Sequence, residues 1–215
     1  MVAASTSIAA GSRAVTQRAF QAAVARLVVD PAFRDRVRAS GTAVLDGDLT
    51  TLEQQRVLSI VDEKGLDATR TLHKSFRLTK LYTTLPLTRK LLGPYRLAKE
   101  VSSFWEANPS DSHYFLDESI AFCDFLKKRL RSGLRIKHLE EIVTYERANL
   151  SLRRARADAG LPKPETVRFR HDPITLFEQL VKGKHPRAVP ERNCTLIGRV
   201  DKKGEVHWRL KEKPA

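Results

Sequence analysis

The chain has 215 residues, 41% hydrophobic and 30% charged, a balance typical of a folded globular protein rather than a disordered one. Lys and Arg total 39 against 25 Asp and Glu, a formal charge of +14, which favours an acidic partner: a nucleic acid, an anionic surface or an acidic peptide. No apolar run approaches the roughly 20 residues a membrane helix needs, so no membrane partner is expected. The small, weakly apolar start MVAASTSIAAGS has neither a basic n-region nor an apolar h-region, so it reads as a flexible tail over 1–15, and the chain as cytoplasmic.

The first predicted helix covers Thr16 to Asp30, with Phe20, Val24, Leu27 and Val28 on one face. Asp30 and Pro31 stop it and start the next, PAFRDRVRASG, which ends at Gly41. A capping box, Thr50 with Glu53, opens LTTLEQQRVLSIVDEKG, which Gly65 is expected to close. These three helices make a subunit over 16–65. A helical bundle follows over 67–158, inside a helical domain spanning 16–160. Its expected breaks are Pro86, the GPY step, the NPSDS boundary (Pro109 with Ser110 or Asp111 as cap) and Ser132-Gly133, after which a last long helix runs from Ile136 to Asp158.

Gly160, Pro162 and Pro164 mark a linker, and the pattern then changes. TVRFR, Thr166 to Arg170, alternates like a strand. Asp172-Pro173 opens a short helix ended by Gly183. Asn193 to Leu210 reads as a β-hairpin around Asp201-Lys202-Lys203-Gly204, with Trp208 turned toward the helices. The predicted fold is therefore mainly α: a multi-helix bundle followed by a small C-terminal α+β unit, 161–215. A lone hairpin is barely stable in water, so this unit is expected to pack on the helices.

Candidate chemistry is sparse. Six histidines are scattered, and the best metal candidate is His138 with Glu141, or Glu140-Glu141 with Tyr145 and Glu146, on a charged helix that reads as solvated i,i+4 pairs; no second ligand pair has metal-site spacing, so no metal is expected in this chain. Cys123 and Cys194 lie in apolar runs and read as buried free thiols. No catalytic signature appears, so no catalytic residue is assigned and the chain is read as a non-enzyme. Basic runs at Lys127 to Lys137 and Arg153 to Arg156 offer phosphate attraction without a recognition helix, so nucleic-acid binding is expected to be non-specific at most. The sheet edge is a different kind of site. An added extended peptide would find backbone partners there, and acidic side chains on it would meet arginines. The expected peptide-binding residues are Val167, Arg168, Phe169, Arg170, Leu196, Ile197, Gly198, Arg199, His207 and Arg209.

The order of segments also carries a resemblance. "FWEANPSDSHYFLDESIAFCDFLKKRL" followed by "LRIKHLEEIVTYERANLSLRRA", with Leu139, Ile142, Tyr145 and Glu146 in the second run, resembles the helical core of the partner proteins of multinuclear iron-dependent oxidative enzymes (MNIOs). The close "RHDPITLFEQLVKGKHPRAVPERNCTLIGRVDKKGEVHWRL" is similar to theirs, so the resemblance covers Leu72 to Leu210. The earlier "RLVVDPAFRDRVRASGTAVLDGDLTTLEQQRVLSIVD" resembles the alpha-subunit-like module of extradiol ring-opening dioxygenases. Both resemblances imply a helper subunit. The first implies a heterodimer with a TIM-barrel iron oxidase, binding of an acidic precursor peptide, largely its leader, in the biosynthesis of a ribosomally made peptide natural product (RiPP), and iron carried by the oxidase with no cofactor in this chain. Two alternatives stand beside it: a DNA-binding regulator, and an accessory subunit of a ring-cleaving dioxygenase.

Overall fold

The computed structural model describes residues 5–45, 48–108, 115–157 and 162–212. The chain forms two compact units, residues 1–76 and 77–215. Helix α1 spans Ser5–Val29, α2 Pro31–Ser40, α3 Thr51–Ile60, α4 Lys64–Thr84, α5 Pro86–Ala107, α6 Phe115–Arg131, α7 Leu139–Ala157 and α8 Pro173–Val181. Strand β1 spans Glu165–His171, β2 Glu191–Val200 and β3 Val206–Glu212. Mainly helical, with a small C-terminal antiparallel sheet, is therefore the observed class. Among the described residues no helix is long and apolar enough to cross a membrane.

In the first unit, Leu27, Phe33, Val37, Val57, Val61 and Leu66 form the core. The Asp30 carboxylate accepts the Phe33 N–H at 2.9 Å and Pro31 occupies the first helical position, so α2 starts where the Asp-Pro pair dictates. Thr50 and Glu53 form the reciprocal capping box at the start of α3. Arg34, 2% exposed, lies inside this unit: its Nε donates to the Val61 carbonyl at 3.0 Å and its guanidinium pairs with Asp67. One buried cation thus ties α2 to the end of α3 and the start of α4.

Boundaries differ from the sequence reading at several points, among them the start of α7, which lies at Leu139 rather than Ile136. Helix α1 begins at Ser5, inside the segment read as tail, because the Ala-rich stretch favours a helix. Gly65 does not close α3; it lies in the first turn of α4, and the turn between the helices is at Val61–Glu63. The expected break within α5 is present: Gly93 has φ 69° and ψ 169°, a conformation that costs glycine little, and Pro94 restarts the helix. The NPSDS caps Ser110 and Asp111, the expected linker residue Gly160 and the helix end at Asp158 lie outside the described residues.

The second unit has one core. Leu91, Val101, Phe104, Phe122, Leu126, Leu139, Ile142 and Leu150 come from the helices, and Val167, Phe169, Leu176, Cys194 and Leu196 from the C-terminal segment. The rings of Phe104, Phe122 and Phe125 pack at centroid separations of 5.2–6.2 Å, the first two in the core and Phe125 against it. The sheet is antiparallel in the order β1-β2-β3, and it lies against α7. This answers how the hairpin is supported: its first strand also pairs with β1, and its inner face is closed by a helix. The C-terminal segment consequently belongs to the same compact unit as α5–α7 and is not a separate one.

Candidate functional site

Strand alternation divides the sheet into two faces. On the helix side lie Val167 and Phe169 of β1, Cys194, Leu196 and Gly198 of β2, and Trp208 and Leu210 of β3. Trp208 Nε1 donates to Asn149 Oδ1 at 3.2 Å, and its ring lies 4.9 Å from that of Tyr145, so the tryptophan faces the helices as expected. A Cβ built on Gly198 would lie 2.7 Å from the Trp208 ring and 2.8 Å from Leu152 Cδ1; only a glycine admits this approach.

The other face is open and basic. The register aligns Arg168 with Thr195 and Thr195 with Lys211; Thr166 with Ile197 and Ile197 with Arg209; and Arg199 with His207. Arg168, Arg170, Arg199, His207, Arg209 and Lys211 are all exposed. This splits the ten residues expected to bind peptide. Arg168, Arg170, Ile197, Arg199, His207 and Arg209 share the open face. Val167, Phe169, Leu196 and Gly198 do not: they are buried against the helices, where no ligand side chain reaches them. The stretch Leu196–Arg199 also lies in the central strand, whose backbone is paired on both sides and cannot accept another strand. Lys211 was missed, although continuing the alternation of β3 by one step points to it.

The two edges are unequal. At the end of β1, where the register shifts between Phe169 and His171, Glu141 Oε1 accepts the N–H of Arg170 at 2.7 Å and of His171 at 3.1 Å. A side chain from α7 thus caps that end. Strand β3 has β2 as its only ladder partner among the described residues. The hairpin turn between β2 and β3 is self-contained: Asp201 Oδ1 accepts the Glu205 N–H at 2.8 Å and Oδ2 meets His207 Nε2 at 2.9 Å. The Glu205 amide is the main cause holding the Asp201 carboxyl below its usual range.

Two arginines of the helical basic runs, Arg129 and Arg154, and Arg147 between the runs are paired with acids. Arg129 pairs with Glu100, Arg147 with Asp124 and Arg154 with Asp117, each on a neighbouring helix. Cys123 and Cys194 are both buried.

The His138–Glu141 pair is not a solvated helix face. His138 precedes α7 with φ 65°, and its side chain is fully buried. The left-handed backbone turns its ring inward, where burial is the main cause lowering its pKa. His171, thirty residues beyond Glu141, completes a trio that no spacing rule revealed: its Nδ1 lies 3.0 Å from Glu141 Oε2, and that of His138 lies 3.4 Å from the same oxygen. The two imidazoles meet edge to face at 4.4 Å. The signal available in the sequence was only that His171 ends a strand and is followed by a helix-starting Asp-Pro pair.

No protein-family model matches this chain, and no curated protein does.

Proposed function

We propose that this protein is a non-catalytic partner subunit that binds an acidic segment of a precursor peptide and presents it to an iron-dependent oxidase during RiPP modification. The observation that carries the reading is the juxtaposition of an open strand edge, β3, with a basic sheet face holding Arg168, Arg199, Arg209 and Lys211. Backbone pairing along β3 would supply an anchor that is indifferent to sequence, and the arginines would select for Asp and Glu on the outward side of the added strand. The β1 edge suits this less well, because Glu141 occupies its last amides and would repel an acidic peptide. The iron and its ligands are assigned to the partner enzyme, in line with the resemblance to MNIO partners and to the alpha-subunit-like accessory module.

The test is co-expression of the tagged chain with an oxidase and precursor encoded beside it, followed by capture and by titration of the purified chain with the precursor's acidic segment. Saturable one-to-one binding, lost on reversing the peptide's charge and accompanied by added strand signal in the infrared amide band, supports strand addition. Tight, sequence-selective retention of DNA at near-physiological salt, with no peptide binding, would replace this reading by the regulatory one.

A further inference from the structure

We propose that His138, Glu141 and His171 form a binding site for one divalent transition-metal ion of the zinc class, held by Nδ1 of both imidazoles and Oε2 of the carboxylate. The potential ligand atoms of the three residues all lie within 4.8 Å of one another. Each imidazole Nδ1 lies from the carboxylate Oε2 at the spacing of two ligands on one ion. With metal–ligand bonds of about 2.1 Å, neighbouring ligand atoms are about 3.0 Å apart at a right angle and about 3.4 Å apart at a tetrahedral one. The two Nδ1–Oε2 separations are 3.0 and 3.4 Å. The longer is stretched for a hydrogen bond to a carboxylate, which prefers about 2.7–2.9 Å when charge-assisted.

The carboxylate is also prepared as a monodentate ligand. Oε1 is taken up by the amides of Arg170 and His171, which leaves Oε2 facing the two rings. Ligating carboxylates are held in this manner by a surrounding hydrogen-bonded shell. Two imidazoles and one carboxylate suit zinc, and equally cobalt or nickel, better than calcium or magnesium, which prefer oxygen alone. The His138 side chain is sealed in, whereas Glu141 and His171 keep 12% and 20% exposure, so an ion and a solvent ligand can enter from their side. The bound ion would tie the end of β1 to the start of α7, and its binding free energy would add to folding.

The experiment uses the full chain, stripped with a chelator and titrated with Co2+ as a spectroscopic probe, then with Zn2+ in competition. We expect one equivalent of Co2+ with visible d–d absorption, displaced by Zn2+, and a rise in melting temperature with Zn2+. His171→Ala and Glu141→Gln should each weaken binding at least ten-fold and abolish the Zn2+-induced rise, while His207→Ala, in the exposed Asp201–Glu205–His207 turn, should change neither. A circular-dichroism melt checks that each variant is folded. Absence of saturable Co2+ absorption in the folded wild-type chain overturns the proposal whatever the variants do. So does binding that survives His171→Ala and disappears in His207→Ala.

Discussion

Glu146 of α7 caps α5 from the side: its Oε1 accepts the Leu87 N–H at 2.7 Å and its Oε2 the Thr88 N–H at 2.9 Å. Those amides are the orphan donors of a helix that begins at Pro86 and has no side-chain cap of its own at Leu85. The cap is therefore supplied across nearly sixty residues of sequence. Burial dominates the carboxyl's behaviour and lifts its pKa from 4.5 to about 7, against the opposing pull of the amide donors.

A raised carboxyl pKa means that the native state holds its proton more tightly than the unfolded chain. The associated stability is complete below about pH 4.5 and is lost as pH rises through about 7. A shift of this size corresponds to about 3 kcal/mol. Glu146→Gln cannot titrate, so the stability of wild type relative to the variant should fall by about 2–3 kcal/mol between pH 4.5 and pH 8. Urea melts of both proteins across this range check it; parallel pH profiles would show that Glu146 keeps an ordinary pKa.

Gly198→Ala should lower stability by about 1–3 kcal/mol, because the new methyl group meets the Trp208 ring and Leu152 at distances that force one of them to shift. Trp208 fluorescence should change in the same variant. Gly65→Ala is the control: a Cβ there meets nothing within 4 Å, so its effect should be small or stabilising.

Glu118, with a side chain 5% exposed, pairs with Arg77 Nε, lies 3.6 Å from Lys80 Nζ and accepts the Trp105 Nε1–H at 3.2 Å. Glu118→Ala removes the carboxylate shared by two buried cations, Arg77, which also donates to the Asn108 carbonyl, and Lys80, and should cost about 3–5 kcal/mol by thermal or urea melts. Arg129→Ala, on the other hand, removes a partner that is 40% exposed from Glu100, and should cost less. Equal losses would mean that Arg77 and Lys80 reach water when Glu118 is removed.

Charge on the open sheet face should act collectively in peptide binding. Any one of Arg168→Ala, Arg199→Ala or Arg209→Ala should weaken an acidic peptide by about 0–1 kcal/mol, and the triple variant by more, with a reduced dependence on salt. Fluorescence anisotropy at two ionic strengths measures both. Triple-variant affinity and salt slope equal to those of wild type would remove this face from the binding site.

Local rules made much of the fold legible. The Asp30-Pro31 step, the Thr50–Glu53 box and the alternation of TVRFR each depend on residues at most four apart, and each is found where the sequence places it. Alternation also identified the open-face arginines. It did not tell that β2 would be central, and that assignment decides which backbone is free. A proline at Ile197 would consequently break the middle of the sheet rather than probe its edge. The groupings of Glu141 with His171, Glu146 with Leu87 and Glu118 with Arg77 link residues 30 to 59 apart. No periodicity encodes such pairs; they arise from how α7 lies against β1 and α5, and α4 against α6.

The two cysteines provide a pair of built-in clocks. Cys123 sits at the centre of the α6 face, with burial pushing its thiol pKa well up, and Cys194 lies under the sheet. An alkylating reagent can reach either thiol only when its surroundings open, so each labelling rate reports the opening free energy of its own neighbourhood. Mass spectrometry of the two peptides would time the loosening of the bundle and of the sheet separately, in one unmodified sample. A ligand clamped on the sheet would slow the second clock and, if the two neighbourhoods open independently, leave the first running.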